Sequence, residues 1–189
     1  MAQPNRPALA TLAAGDRLLQ VLGLLGTSQL LAALAQRTPG WATSRLADAL
    51  ATIDGEAEAG LLMSIARDAI GTAMLEELVF RGLLFEGLRR ALGLGPAIAG
   101  SAALFGLIHA DLHQGLAAAV LGVQLGALRA LFGLPLTIVA HATNNLAALL
   151  AARAGFEANV LSLAIAAGLA CSACAVLAQR LRHPATSHP

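Results

Sequence analysis

The chain has 189 residues, of which 57% are hydrophobic and 12% charged, with a mean hydropathy of +0.71. Soluble domains carry roughly 25% charged residues, so this composition argues against a soluble globule, and its apolar content against disorder. A net charge of +1 leaves no basic surface to neutralise phosphates, which sets aside nucleic acid as a partner. The two cysteines, Cys171 and Cys174, are too few for a disulfide scaffold. What remains is a membrane protein, read as a single domain over 1–189.

Stretches of about 20 mainly apolar residues mark membrane-crossing helices. Residues 1–16 read as a polar tail. Leu18 to Ala35 is the first span, between Arg17 and Arg37. Ala33-Leu34-Ala35 resembles a small-residue cleavage site, so a secretory leader is the alternative for this stretch. Pro39 to Gly60 carries Asp48, Asp54, Glu56 and Glu58 and reads as a loop with a short amphipathic helix at Ser44 to Ala51.

Leu61 to Leu92 has a helical pattern but contains Arg67, Asp68, Glu76, Glu77, Arg81, Glu86, Arg89 and Arg90, so by hydropathy alone it is a poor span. Pro96 to His109 is apolar, and Pro96 suits a first helical turn. Asp111 and His113 read as loop residues. Gly115 to Phe132 contains Gly122 and Gly126, a spacing that either lets helices approach closely or arises by chance in a Gly-rich chain. Leu134 to Ala152 is apolar apart from His141, Asn144 and Asn145. Val160 to Ala178 is the cleanest span, and 181–189 is a second polar tail.

The expected fold class is therefore all-α, a polytopic membrane helical bundle of about six transmembrane helices. Alternating the spans places Arg6, Arg17, Arg89, Arg90, Arg129, Arg180 and Arg182 on one side, and Arg37, Arg45 and Arg153 on the other. The positive-inside rule then puts both termini in the cytoplasm. The composition has a bacterial character, so the expected location is a bacterial inner membrane. One tension follows. His109 would lie about 20 Å from the start of its helix, while His141 would lie nearer the surface. Either the segment before Pro96 dips into the bilayer or the orientation is reversed.

Ionisable groups inside membrane spans are costly and usually face a cavity or a partner. Three clusters of polar residues stand out, each with an i,i+4 pair on one helix face. In Glu76-Glu77-Leu78-Val79-Phe80-Arg81, Glu77 can pair with Arg81. Glu76 then faces elsewhere, as a candidate general base or as a carboxylate solvated near the headgroups. In Phe105-Gly106-Leu107-Ile108-His109, Phe105 can shield or orient the imidazole, or His109 can cap the last carbonyls of its helix. In His141-Ala142-Thr143-Asn144-Asn145, His141 and Asn145 share a face, while Asn144 points away and suits an interhelical hydrogen bond. One carboxylate, two imidazoles and one carboxamide can together activate a water and stabilise an oxyanion.

These clusters resemble the signature of the CPBP family, which comprises the type II CAAX prenyl endopeptidases and the related bacteriocin-processing and self-immunity proteins. The family pattern is Glu-Glu-x-x-x-Arg, Phe-x-x-x-His and His-x-x-x-Asn, matched here by Glu76-Glu77…Arg81, Phe105…His109 and His141…Asn145. Phe80-Arg81-Gly82 also matches the surroundings of the first motif, and the resemblance covers about Leu61 to Leu150, the expected protease core of 61–150. It implies an intramembrane endopeptidase acting on a membrane-associated or lipid-modified peptide, within a cavity near the membrane surface.

By the same resemblance, Glu76 and His109 would activate water, and His141 and Asn145 would hold the oxyanion. Glu77 and Arg81 would be supporting residues, with Phe105 beside His109. Glu76, His109 and His141 could alternatively make a three-ligand zinc site with an open position; a metal-free mechanism with Glu76 as base uses the same residues. Neither His-Glu-x-x-His, Gly-x-Gly-Asp nor a rhomboid-type Gly-x-Ser-Gly occurs. Cys171-x-x-Cys174, within an apolar helix, reads as packing residues. The rival readings are a non-enzymatic immunity or partner-binding membrane protein and a transporter. No visible inverted repeat supports the transporter.

Overall fold

The computed structural model describes residues 14–39, 58–154 and 159–182, and every regular element among them is helical. The amphipathic helix expected at Ser44 to Ala51, Arg6 and Arg45 lie outside the described residues. So do most of the two expected tails, although residues 14–16 and 181–182 are helical.

Among the described residues, six helical segments follow one another. They are α1 (Ala14–Ala35), α2 (58–92), α3 (Leu94–Leu107), α4 (Leu112–Phe132), α5 (Leu134–Arg153) and α6 (Val160–Arg182). Four of them, α1, α4, α5 and α6, are long and apolar enough to cross a bilayer. At 14 residues, α3 rises only about 21 Å, short of the ~30 Å hydrocarbon core. The expectation of about six spans thus resolves into four full-length apolar helices, one short apolar helix and the charged α2.

The boundaries have local causes. Gly93 (φ 89°) and Gly133 (φ 85°) end α2 and α4 in a conformation that costs glycine little. Between α3 and α4 the chain turns through Ala110, whose φ of 52° is unusual for a residue with a Cβ. The side chain of Asp111 accepts a hydrogen bond from the Gln114 N–H at 2.9 Å and caps α4. The fourth helix therefore begins at Leu112 rather than Gly115, and His113 is a helical residue rather than a loop residue, because Asp111 supplies the cap.

The second helix solves a register problem. Five of its buried residues, Ala69, Ala73, Glu77, Arg81 and Phe85, recur every four positions. An α-helix has 3.6 residues per turn, so a step of four overshoots by about 40° and a four-residue stripe drifts off its face. Here the α-helical turns Glu58–Ser64, Thr72–Glu77 and Phe85–Leu92 alternate with π-helical turns at Ile65–Gly71 and Leu78–Leu84. A π turn closes i→i+5 bonds and takes up the extra residue. The drift cancels, and one face of α2 stays buried from Ala69 to Phe85. Arg67, Asp68, Arg89 and Arg90 lie on its exposed surface.

Around α2, α3 packs directly on α4. A Cβ on Gly106 would stand 2.6 Å from the Gly115 carbonyl oxygen, and one on Gly122 would stand 3.0 Å from Ala102 Cα. A Cβ on Gly126 would lie 3.3 Å from Ile98. The Gly122 and Gly126 spacing is thus part of a close helix contact. Leu24, Leu125, Leu128, Leu131, Ala140 and Leu177 join α1, α4, α5 and α6 in one apolar core. Exposed Leu75, Leu83, Leu107 and Leu116 face outward, as a bilayer-embedded surface requires.

The glycine contact can be tested with a built-in control. Gly106→Ala is expected to destabilise the protein by about 1–3 kcal/mol, since backbone must move to admit the methyl group. Gly87→Ala, on a helix face with nothing within 4 Å of the added Cβ, is expected to stabilise by about 0.5–1 kcal/mol. Unfolding in detergent measures both, and equal shifts would contradict the α3–α4 contact.

Candidate active site

The buried face of α2 carries Glu77 and Arg81, each with 0% side-chain exposure. Glu77 Oε1 accepts from Arg81 Nη1 at 2.7 Å, the i,i+4 pairing that the sequence implies. The same oxygen accepts from His141 Nδ1 at 2.9 Å, which ties α2 to α5. Arg81 Nη2 donates to the Gly122 carbonyl at 3.2 Å. A Cβ at 122 would crowd both that nitrogen, at 3.3 Å, and Ala102 Cα, at 3.0 Å. The guanidinium lies over the Phe105 ring at 4.5 Å, a cation–π contact.

Arg129 of α4 reaches the π-helical turn from outside and donates through Nε to the Arg81 carbonyl at 3.0 Å. It also faces Glu86 at 3.7 Å. In sequence, Arg129 is visible only as a charge that orients the membrane; here it holds the backbone of the Arg81 turn.

Phe105 is the hub of the site. Its ring meets His109 edge-on at 5.0 Å, His141 at 5.8 Å and Phe80 at 5.2 Å. Both readings of His109 hold at once: it packs on Phe105, and its Nδ1 meets the Phe105 carbonyl oxygen at 2.7 Å. A carbonyl can only accept, so Nδ1 carries the hydrogen and Nε2 is left with a lone pair. By the same logic, the Glu77 carboxylate places the hydrogen of His141 on Nδ1. His141 Nε2 then faces Glu76 Oε2 at 3.6 Å. The apparent depth mismatch between the two histidines disappears because both rings rest on the same phenylalanine.

A cavity of about 210 Å³ opens beside these rings. Phe105, His109, His141, Asn144 and Asn145 are on its wall, along with residues of α1 and α4. Glu76 is not on that wall. It adjoins it through His141, and its side chain is 21% exposed. The geometry thus brings His109, His141 and Asn145 to one space, with Glu76 next to His141 Nε2.

The expectation that Asn144 points away from His141 is corrected. At 100° per residue it lies about 60° to one side of His141, while Asn145 lies about 40° to the other, and both border the cavity. His113 and Gln114 border it too, a consequence of α4 starting early. Only the tertiary packing of α1 and α4 against α5 could reveal these three.

Among the described residues, no three His, Cys, Asp or Glu side chains converge as a metal-holding group.

Removing one partner of the buried pair should be severe, because it strands the other charge. Glu77→Ala is expected to cost about 3–5 kcal/mol. Arg90→Ala, which breaks the exposed Arg90–Glu86 pair at 3.2 Å, is expected to cost under about 1 kcal/mol. Comparable losses from the two variants in detergent unfolding would contradict the placement of Glu77 in the core.

Residues 58–147 match the family model described as type II CAAX prenyl endopeptidase Rce1-like. No curated protein and no solved structure matches the chain. The matched segment runs from the start of α2 into α5 and contains all three polar clusters, while α1 and α6 lie outside it. The chain is an integral membrane protein by its long apolar helices. Its residues 58–147 are similar to the Rce1-like type II CAAX prenyl endopeptidases.

Proposed function

We propose that this protein is an intramembrane endopeptidase that hydrolyses a peptide bond of a membrane-associated or lipid-modified peptide by attack of an activated water. The observation that carries the reading is the shared cavity wall of His109, His141 and Asn145, with Glu76 at 3.6 Å from His141.

In this reading Glu76 accepts a proton from water, while His109 Nε2 accepts that water's other hydrogen bond. The hydroxide adds to the scissile carbonyl carbon. Negative charge gathers on the carbonyl oxygen and is stabilised by the Asn145 carboxamide N–H and by His141 when its Nε2 is protonated. Collapse of the intermediate breaks the C–N bond, and the leaving amine takes the proton that Glu76 removed.

Every step uses groups of the chain itself. A divalent metal such as zinc is the competing proposal for Glu76, because a carboxylate that ligates metal is less available as a base. The Arg distribution favours both termini on the cytoplasmic side of a bacterial inner membrane. Reporter fusions at each end test that orientation.

The direct test is cleavage of an internally quenched, farnesylated CAAX-type peptide by protein in proteoliposomes. Glu76→Gln is expected to reduce kcat about 10²–10⁴-fold with unfolding unchanged. Asn145→Ala is expected to lose about 10²–10³-fold. Full cleavage by Glu76→Gln would leave a partner-binding role as the better reading. Metal analysis separates the two roles of Glu76. Cleavage surviving exhaustive chelation is the expected outcome for a base; one tightly held zinc, lost together with activity, is the outcome for a ligand.

A further inference from the structure

The cavity has a direction. Leu24, Phe105, Leu125 and His141, all buried, make its floor. Ala35, His113, Asn145 and Ala148, all partly or fully exposed, make its rim. From floor to rim the wall follows α1 toward its last residue and α5 toward its C-terminal end. It follows α4 the other way, back to its first turn. The cavity therefore opens at the end of the bundle where α1 finishes and α4 begins.

Behind the floor lies the other end of the bundle. There α1 begins and α6 finishes, because the two helices run antiparallel. Asp16, Gly23 and Gly26 of α1 meet Arg180, Ala173 and Ala166 of α6 in turn. Beyond Leu125, α4 continues to Arg129, which faces Glu86 near the end of α2 at 3.7 Å. This end carries Arg17, Arg89, Arg90, Arg129, Arg180 and Arg182. The end with the mouth carries Arg37, Arg67 and Arg153. Basic residues concentrate on the cytoplasmic side of a membrane protein, so the mouth faces away from the cytoplasm.

We propose that the cavity is loaded from the extracytoplasmic face of the membrane, and that its substrate is a peptide presented there, such as the membrane-proximal segment of a translocated protein. A lipid-modified tail on the cytoplasmic face meets the Arg-rich end of the bundle instead. To reach His109 and Asn145 it would have to carry a polar backbone past the buried floor or through lipid, which offers that backbone no hydrogen-bond partner. The inference rests on the endopeptidase reading for the substrate, and on the Arg distribution for the face.

Two measurements test it. The first uses a Cys171→Ala, Cys174→Ser background, which removes the two exposed native thiols. Ala148→Cys then reports on the rim, and Leu92→Cys, at the last residue of α2, on the Arg-rich end. In intact spheroplasts a charged maleimide, which does not cross the bilayer, is expected to label Ala148→Cys at least about tenfold faster than Leu92→Cys. In inverted vesicles the order is expected to reverse. Ala35→Cys, elsewhere on the rim, is expected to follow Ala148→Cys. Labelling of rim and Leu92→Cys from the same side, or rim thiols that react from neither, overturns the position of the mouth. Rim labelling in inverted vesicles only overturns the extracytoplasmic face. The second measurement gives the quenched farnesylated peptide a charged extension, which keeps it in the leaflet where it is added. Right-side-out vesicles are expected to cleave it at least about tenfold faster than inverted ones, each corrected for vesicles holding Glu76→Gln. Equal rates, or faster cleavage by inverted vesicles, overturn the proposal. No cleavage by either overturns the endopeptidase reading and the substrate with it, while labelling, which needs no catalysis, still decides the face.

Discussion

Two opposite charges at zero exposure, Glu77 and Arg81, lie one helical turn apart in the middle of a membrane protein. Each would be prohibitively costly alone in an apolar medium, and together they are tolerable only with good geometry and further hydrogen bonds. Those bonds come from every neighbouring element. His141 of α5 binds the carboxylate, Gly122 of α4 accepts from the guanidinium, and Phe105 of α3 presents its ring face to it. The buried pair therefore determines how α2, α3, α4 and α5 meet. Glu77 Oε2 and Arg81 Nε still lack partners among the described residues, so the compensation is incomplete and the pair depends on its surroundings.

The same arrangement orients the two imidazoles. Glu77 spends its hydrogen-bonding oxygen on His141 Nδ1, so the opposite nitrogen is turned toward Glu76. Phe105 does the equivalent for His109 with its backbone carbonyl, while its ring contacts both imidazoles. Both histidines thus have one nitrogen held by the scaffold. A change to Glu77 would disturb both the buried pair and the orientation of His141.

The π-helical turns of α2 link this set to the sequence. A strict α-helix could present Glu77 and Arg81 together but would rotate Ala69 and Phe85 away from the same face. Two π stretches keep the stripe in line. Arg129 reaches across from α4 to the carbonyl of the second stretch. That stretch follows directly after the two glutamates.

Much was legible in the sequence for simple physical reasons. Scarce charge and long apolar runs specify helices in a bilayer, since lipid leaves the backbone no other partner. The i,i+4 spacing alone pairs Glu77 with Arg81 and sets His141 and Asn145 on neighbouring sides of one helix. Local reasoning stops where a side chain's role depends on another helix. Asn144 and Asn145 look alike as a dipeptide, and only the position of α1 and α4 around α5 reveals that both border the cavity and that Asn144 is left with an unpaired oxygen. Arg129 is a surface charge until α4 is docked on α2. His113 is a loop residue until Asp111 is seen capping α4. The sequence by itself determined the membrane, the helices and the residues able to do chemistry, because those follow from hydropathy and from a period of 3.6. The tertiary structure alone decided which nitrogen of each histidine is free and what faces the cavity, because a hydrogen bond or a cavity wall needs two elements, and one stretch of sequence describes one.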